Sequence, residues 1–145
     1  YQEKNETFDI SELIKNIITK YANTNISMEI KSRIYMDGRK NLIRRSINNL
    51  IDNALKHGEK INLNLSKTNS KILIIIDDDG PGIPDNEHEN VFKPFYKIDK
   101  SRGESKSSVG LGLSIALDTI KSHGGNILLE RSPLNGLRVK VFLPV

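Results

Sequence analysis

Apolar positions run along this chain in two rhythms, and each change of rhythm marks an element. In FDISELIKNIITKYAN, Leu13, Ile14, Ile17 and Ile18 recur at helical spacing behind Asp9, with Glu12 three residues on, a capping-box pattern. This predicts a helix over about 10–22. ISMEIKSRIYM alternates at Ile26, Met28 and Ile30 and predicts a strand. Asp37 then reads as the cap of a second helix, whose apolar stripe is Leu42, Ile43, Ile47, Leu50, Ile51, Ala54 and Leu55. KINLNLSK alternates again at Ile61, Leu63 and Leu65, and SKTNSK is a polar, hairpin-like connection into a buried strand over 71–77.

Beyond Asp85 the chain is mostly polar, with VFKPFY as an apolar island and DKSRGESKSS as a charged, serine-rich loop. VGLGLSIALDTIKSHGG predicts a helix over about 111–122, closed by Gly124-Gly125. NILLERS and LRVKVFLPV alternate as two strands around an Asn135-Gly136 turn. Helices and strands intermix without strict alternation. The expected fold is α+β, a two-layer sandwich with helices on one face of a mixed, mainly antiparallel sheet.

Composition narrows the classes. The chain has 145 residues, enough for one domain with a real core. It has no cysteine, which removes disulfides, zinc-thiolate sites and thiol catalysis. No apolar run approaches the roughly 20 residues of a membrane span. Tyr1 opens the chain without a charged-then-apolar leader, so no signal peptide is read and a fragment of a longer protein is expected. Part of the net charge of +4 lies in Lys31, Arg33, Arg39, Lys40, Arg44 and Arg45. Only Tyr35 offers an aromatic platform there and no nucleic-acid motif accompanies it, so a solvated face is expected and nucleic acid is not an expected partner.

Three stretches carry candidate chemistry. The buried strand runs into Asp77, Asp78 and Asp79 ahead of Gly80-Pro81-Gly82. Like charges side by side suit a solvated turn, or a turn in which one carboxylate points inward to a ligand. In NNLIDNALKHG, Asn49, Asn53, Lys56 and His57 share one side of the second helix, at i, i+4, i+7 and i+8. Amide oxygens suit Mg²⁺ and an ammonium suits phosphate, although a polar face meeting solvent has the same spacing. In SSVGLGLS, the glycines stand at a helix start, where free N–H groups favour an anion. A G-x-x-x-x-G-K-S/T loop is absent, and Ile115 stands where a dinucleotide loop needs its third glycine.

In this order the parts resemble the ATP-binding catalytic domain of sensor histidine kinases, within the wider group of gyrase, Hsp90 and MutL ATPase domains. NNLIDNALKHG is similar to the N box, DDDGPGI to the first glycine box, VFKPF to the F box and VGLGLSIA to the second glycine box. The resemblance spans about 8–145, leaving 1–7 as an extension from a preceding domain and about 96–109 as a lid over the nucleotide. It implies a Bergerat-type ATP-binding fold with ATP and Mg²⁺ as ligands. Asp78 would accept a hydrogen bond from the adenine 6-amino group, beside Gly80, Gly82 and Ile83, with Asp77 and Asp79 turned toward solvent or positive groups. Asn53 would bind Mg²⁺ with Asn49 assisting, while Lys56, His57 and the lid's Arg102 would contact the nucleotide. Gly110, Leu111, Gly112 and Leu113 would present the helix start to the phosphates, and Phe92 and Phe95 either anchor the lid or belong to the core. His57 replaces a frequent Tyr, and Ser108 a frequent first glycine.

ATP-hydrolysing members of the group carry a Glu at the position of Asn49, so the resemblance implies phosphotransfer rather than vigorous hydrolysis. His57, His88 and His123 all lack the H-E-x-R-T-P-like context of a phosphoacceptor. The expected activity is therefore a protein histidine kinase whose acceptor lies on a separate dimerisation domain, with a response regulator downstream. The fragment is expected to be monomeric and the whole protein a homodimer, this part being the cytoplasmic domain of an inner-membrane sensor. A nucleotide-binding regulatory module and an anti-sigma-type serine kinase are the alternatives.

Overall fold

A computed structural model describes residues 2–96 and 110–145. β1 (Glu6–Asp9) leads into α1 (Ile10–Thr19), followed by β2 (Asn25–Ile30), β3 (Tyr35–Gly38), α2 (Lys40–His57), β4 (Lys60–Lys67) and β5 (Lys71–Asp78). Two short 3₁₀ turns, Asp85–Glu87 and Asn90–Phe92, precede α3 (Gly110–Ser122), β6 (Asn126–Arg131) and β7 (Leu137–Pro144). The main sheet has the order β2-β4-β5-β7-β6, with β2 parallel to β4 and every other pair antiparallel.

Period-two patterning sorts this sheet into two faces. Ile61, Leu63, Leu65, Ile72, Ile74, Ile76, Val139, Val141 and Leu143 are buried on the inner face. They meet Leu13, Ile14 and Ile17 of α1, Ile43, Ile47, Leu50 and Ile51 of α2, and Leu113, Ala116 and Ile120 of α3 in one core. Helices on one face of a mixed, mainly antiparallel sheet is the architecture the patterning led one to expect.

Four details depart from the pattern. β1 was not foreseen, and it pairs antiparallel with β3 in a separate two-stranded sheet, from Glu6↔Gly38 to Asp9↔Tyr35. Residues 6 and 7 of the expected extension thus join the fold. The expected strand over ISMEIKSRIYM is two strands in two sheets, broken at the polar Lys31-Ser32-Arg33. α1 stops at Thr19 rather than near Ala22. The Tyr21 hydroxyl instead donates to Asp52 at 2.7 Å and to Asn48 at 3.3 Å, crossing to one flank of α2. Finally, Asp37 lies in β3 and does not cap α2; Arg39 holds the cap position and makes no side-chain cap bond. Glu3 replaces it, its carboxylate accepting the amides of Asn41 at 2.8 Å and Leu42 at 3.1 Å.

Candidate functional site

The three consecutive aspartates end up in three different environments. Strand alternation sends Asp77 to the outer face, where Arg138 on β7 donates from Nε at 2.8 Å and from Nη2 at 3.0 Å. That paired geometry explains how Asp77 is only 4% exposed. Asp79 lies past the strand end, and its Oδ1 accepts the amides of Glu59 at 2.8 Å and Lys60 at 3.0 Å. These two bonds hold its carboxyl below the usual carboxylate range. They also join the end of β5 to the chain leaving α2.

Asp78 takes the inner position and is 4% exposed. Its Oδ1 accepts the Gly80 amide at 2.9 Å and the Leu137 amide at 3.1 Å. Among the described residues no group donates to Oδ2. Burial pushes the carboxyl up, against the downward pull of its two amide bonds and of His57. One acceptor oxygen is therefore fixed and the other left uncommitted.

Glycines allow this crowding. A Cβ on Gly136 would overlap Asp78 Oδ1 and the Asp78 carbonyl, and would stand 2.6 Å from the Gly80 nitrogen. A Cβ on Gly80 would overlap the carbonyl of His57, so α2 ends directly over the aspartate turn. Gly82 has φ 75°, in the left-handed region that glycine enters freely. Ile83 beside it is half-buried against the core.

α2 presents the second group. Its core stripe and its Tyr21-bonded flank, Asn48 and Asp52, leave Asn49 and Asn53 on a further flank. Both are half-buried, and neither side-chain amide is hydrogen-bonded among the described residues. Lys56 is exposed and His57 half-buried. His57 Nε2 is buried without a partner among the described residues. Burial first, and Lys56 second, hold the imidazole below its ordinary value, against the opposite pull of Asp78. Folding thus favours neutral His57, so its contribution is present above the ordinary value of 6.5 and is lost as pH falls toward the folded value. Melting curves from pH 7 to pH 5 should fall less steeply for His57→Phe than for the unaltered chain; parallel curves would refute this role.

α3 presents the third group. Its first residue is Gly110, and a Cβ on Gly112 would meet nothing within 4 Å among the described residues. Leu113 is wholly buried, which leaves only its backbone to face a ligand. The Leu111 side chain, Arg102, Ser108 and all of the expected lid except Tyr96 lie outside the described residues. Phe92 is half-buried against the core, whereas Phe95 is 76% exposed with φ 63° and is not a core residue.

The donor set suits a magnesium nucleotide. No cluster of three or more His, Cys, Asp or Glu able to cage a metal occurs among the described residues. Two uncommitted amides instead suit an ion that keeps waters and shares phosphate oxygens. Sequence reasoning passed over Gly136 and Leu137, although the Asn135-Gly136 turn signal pointed at the hairpin that holds Asp78.

Comparison with known proteins agrees with this geometry. Residues 38–145 match the family described as histidine kinase-, DNA gyrase B- and HSP90-like ATPase. The sensor histidine kinase GtrS of Pseudomonas aeruginosa is 34% identical over 143 residues, 98% of this chain and 29% of that protein. The sensor histidine kinase CpxA of Escherichia coli is 37% identical over 109 residues, 74% of this chain and 24% of that protein. The chain thus spans under a third of the length of these relatives. The crystal structure of the ATP binding domain of PrrB from Mycobacterium tuberculosis superposes with a TM-score of 0.81 at 28% identity, covering 98% of each chain.

Proposed function

The chain belongs to the histidine kinase-, DNA gyrase B- and HSP90-like ATPase family and is an ATP-binding catalytic domain of the sensor histidine kinase type, and from that premise we propose that it transfers the γ-phosphoryl group of Mg-ATP to a histidine on a separate dimerisation domain. The observation that carries this reading is the buried Asp78, with Oδ1 held by two amides and Oδ2 uncommitted. Oδ2 accepts the adenine 6-amino group, and a guanine 6-oxo group would face an acceptor there instead. Gly80 and Gly82 let the backbone approach the base, and Ile83 and His57 complete its surroundings.

Asn53, assisted by Asn49, would hold Mg²⁺, which would supply positive charge to the nucleotide phosphates. Lys56 reaches the phosphates from the end of α2. The free N–H groups at Gly110, Leu111 and Gly112, at the positive end of the helix dipole with Leu113 closing the first turn behind them, receive them from the other side. Arg102 supplies a further phosphate contact. The amide at Asn49 cannot take a proton from water, which directs the phosphoryl group to an external acceptor. The domain is taken to extend beyond the expected 8–145 to include Glu6 and Thr7, which pair with β3, and Glu3, which caps α2. The whole protein is read as a homodimeric inner-membrane sensor with this domain in the cytoplasm, passing phosphate from its own histidine to a response regulator. No described helix is long and apolar enough to cross a membrane.

Thermal unfolding with ATP and Mg²⁺, with GTP as control, tests nucleotide binding. Ligand at ~100 times its dissociation constant adds about 2.7 kcal/mol, a rise of roughly 5–10 °C for a chain of this size. An equal rise with GTP, or none with saturating ATP, would contradict the Asp78 assignment. Supplying a phosphoacceptor helical domain and following its phosphorylation then tests the transfer.

A further inference from the structure

The start of α2 lacks a cap of its own and has cations, Arg39 and Lys40, where the helix dipole disfavours them, with Arg44 and Arg45 in the next turn. Three of its amides are taken up by distant residues. Glu3 accepts Asn41 at 2.8 Å and Leu42 at 3.1 Å, and His123 Nε2 accepts Arg39 at 3.0 Å. The His123 ring is oriented in turn by Nδ1 donating to Thr119 O at 2.8 Å. Arg39 Nη2 donates to Ser122 Oγ at 2.8 Å and Ser122 O at 3.3 Å. Gly38 leaves room for the ring, since a Cβ there would stand 2.8 Å from His123 Cδ2.

α2 and α3 pack side by side, and this junction joins the N-terminus of α2 to the C-terminus of α3, so the two run antiparallel. The 13 residues of α3 span about 20 Å at 1.5 Å per residue. Its glycine start therefore lies beside α2 about thirteen residues past Arg39, in the stretch that carries Asn49 and Asn53. Packed helix surfaces repeat their ridges, so packing alone tolerates an axial slip, while directional hydrogen bonds at one end admit a single offset. We propose that His123 is a positioning residue, forming with Arg39 a clamp that sets the axial register of α2 against α3 and so the spacing between the metal-binding amides and the phosphate-binding helix start. This rests on the nucleotide reading above.

The test compares binding of Mg-ATP and of adenosine to the chain as described, an extent matched by the crystallised PrrB ATP binding domain. His123→Ala should weaken Mg-ATP roughly tenfold and leave adenosine nearly unchanged, because the base is held by Asp78 and only the phosphates cross between the helices. His123→Gln, whose amide oxygen can replace Nε2 as acceptor, should restore most of the loss. Equal weakening of both ligands, or of neither, overturns the clamp. Spin labels at the exposed Arg45 and Asp118 give a readout independent of nucleotide. Their separation should change in His123→Ala, and an unchanged separation overturns the clamp as well. If the unaltered chain bound neither ligand, the nucleotide reading would fail, and with it the clamp's role in spacing that site.

Discussion

Asp78→Asn is expected to leave the protein folded and to remove nearly all of its affinity for ATP. The Asn carbonyl oxygen can accept the Gly80 and Leu137 amides as Oδ1 does, so the hairpin and the turn keep their hydrogen bonds. The side-chain NH₂ then replaces Oδ2, and a donor meets the donor of the adenine 6-amino group. Losing a bond to a buried charged acceptor while leaving two donors opposed costs about 2–3 kcal/mol, roughly 30–150-fold in affinity. The same change should narrow the gap between ATP and GTP, because the new NH₂ can donate to a 6-oxo group. Burial already disfavours the charge at this position, so melting without nucleotide should barely move. A variant that melted normally and still bound ATP tightly would show that the base is read elsewhere.

Gly136→Ala should act on the fold and the site together. The added methyl has no space: Asp78 Oδ1, the Asp78 carbonyl and the Gly80 nitrogen surround it, and two of these three are backbone. No rotamer change relieves a backbone clash, so the tip of the β6–β7 hairpin must separate from the end of β5. The expected cost is about 3 kcal/mol, the upper part of the overpacking range, or roughly 10 °C in melting temperature for a chain of this size. Because Leu137 donates to Asp78, ATP affinity measured well below the new melting temperature should fall as well. Loss of stability with undiminished affinity would mean that the Leu137 bond does not orient the carboxylate.

What could be read in the sequence was whatever one element expresses alone. The run Ile72–Ile76 marks a buried strand without outside help, and the i, i+4 spacing of Asn49 and Asn53 puts both on one flank whatever packs nearby. What could not be read depends on a partner far along the chain. β1 and β3 have four residues each and pair Glu6 with Gly38, too few alternating positions to rise above a loop. The cap of α2 comes from Glu3, so the local pattern pointed to Asp37, which has the right chemistry in the wrong place. The difference among three identical aspartates is set by Arg138, Leu137 and the Glu59–Lys60 amides, and two of those three sources lie about 60 residues away. Gly136 looked like an ordinary turn glycine because nothing local shows what the turn presses against.

β7 follows β6 in the chain yet lies between β5 and β6 in the sheet. During synthesis this order has a cost. Until the ribosome has released residues 137–144, β5 has a partner only in β4, and its other edge exposes the backbone of the segment KILIIID. Such an edge, apolar and without proline, is the kind on which nascent chains stick to one another. β7 closes that edge and, with the Leu137 amide, also completes the seat of Asp78. Protection from aggregation and assembly of the base-reading carboxylate therefore arrive together, with the last strand.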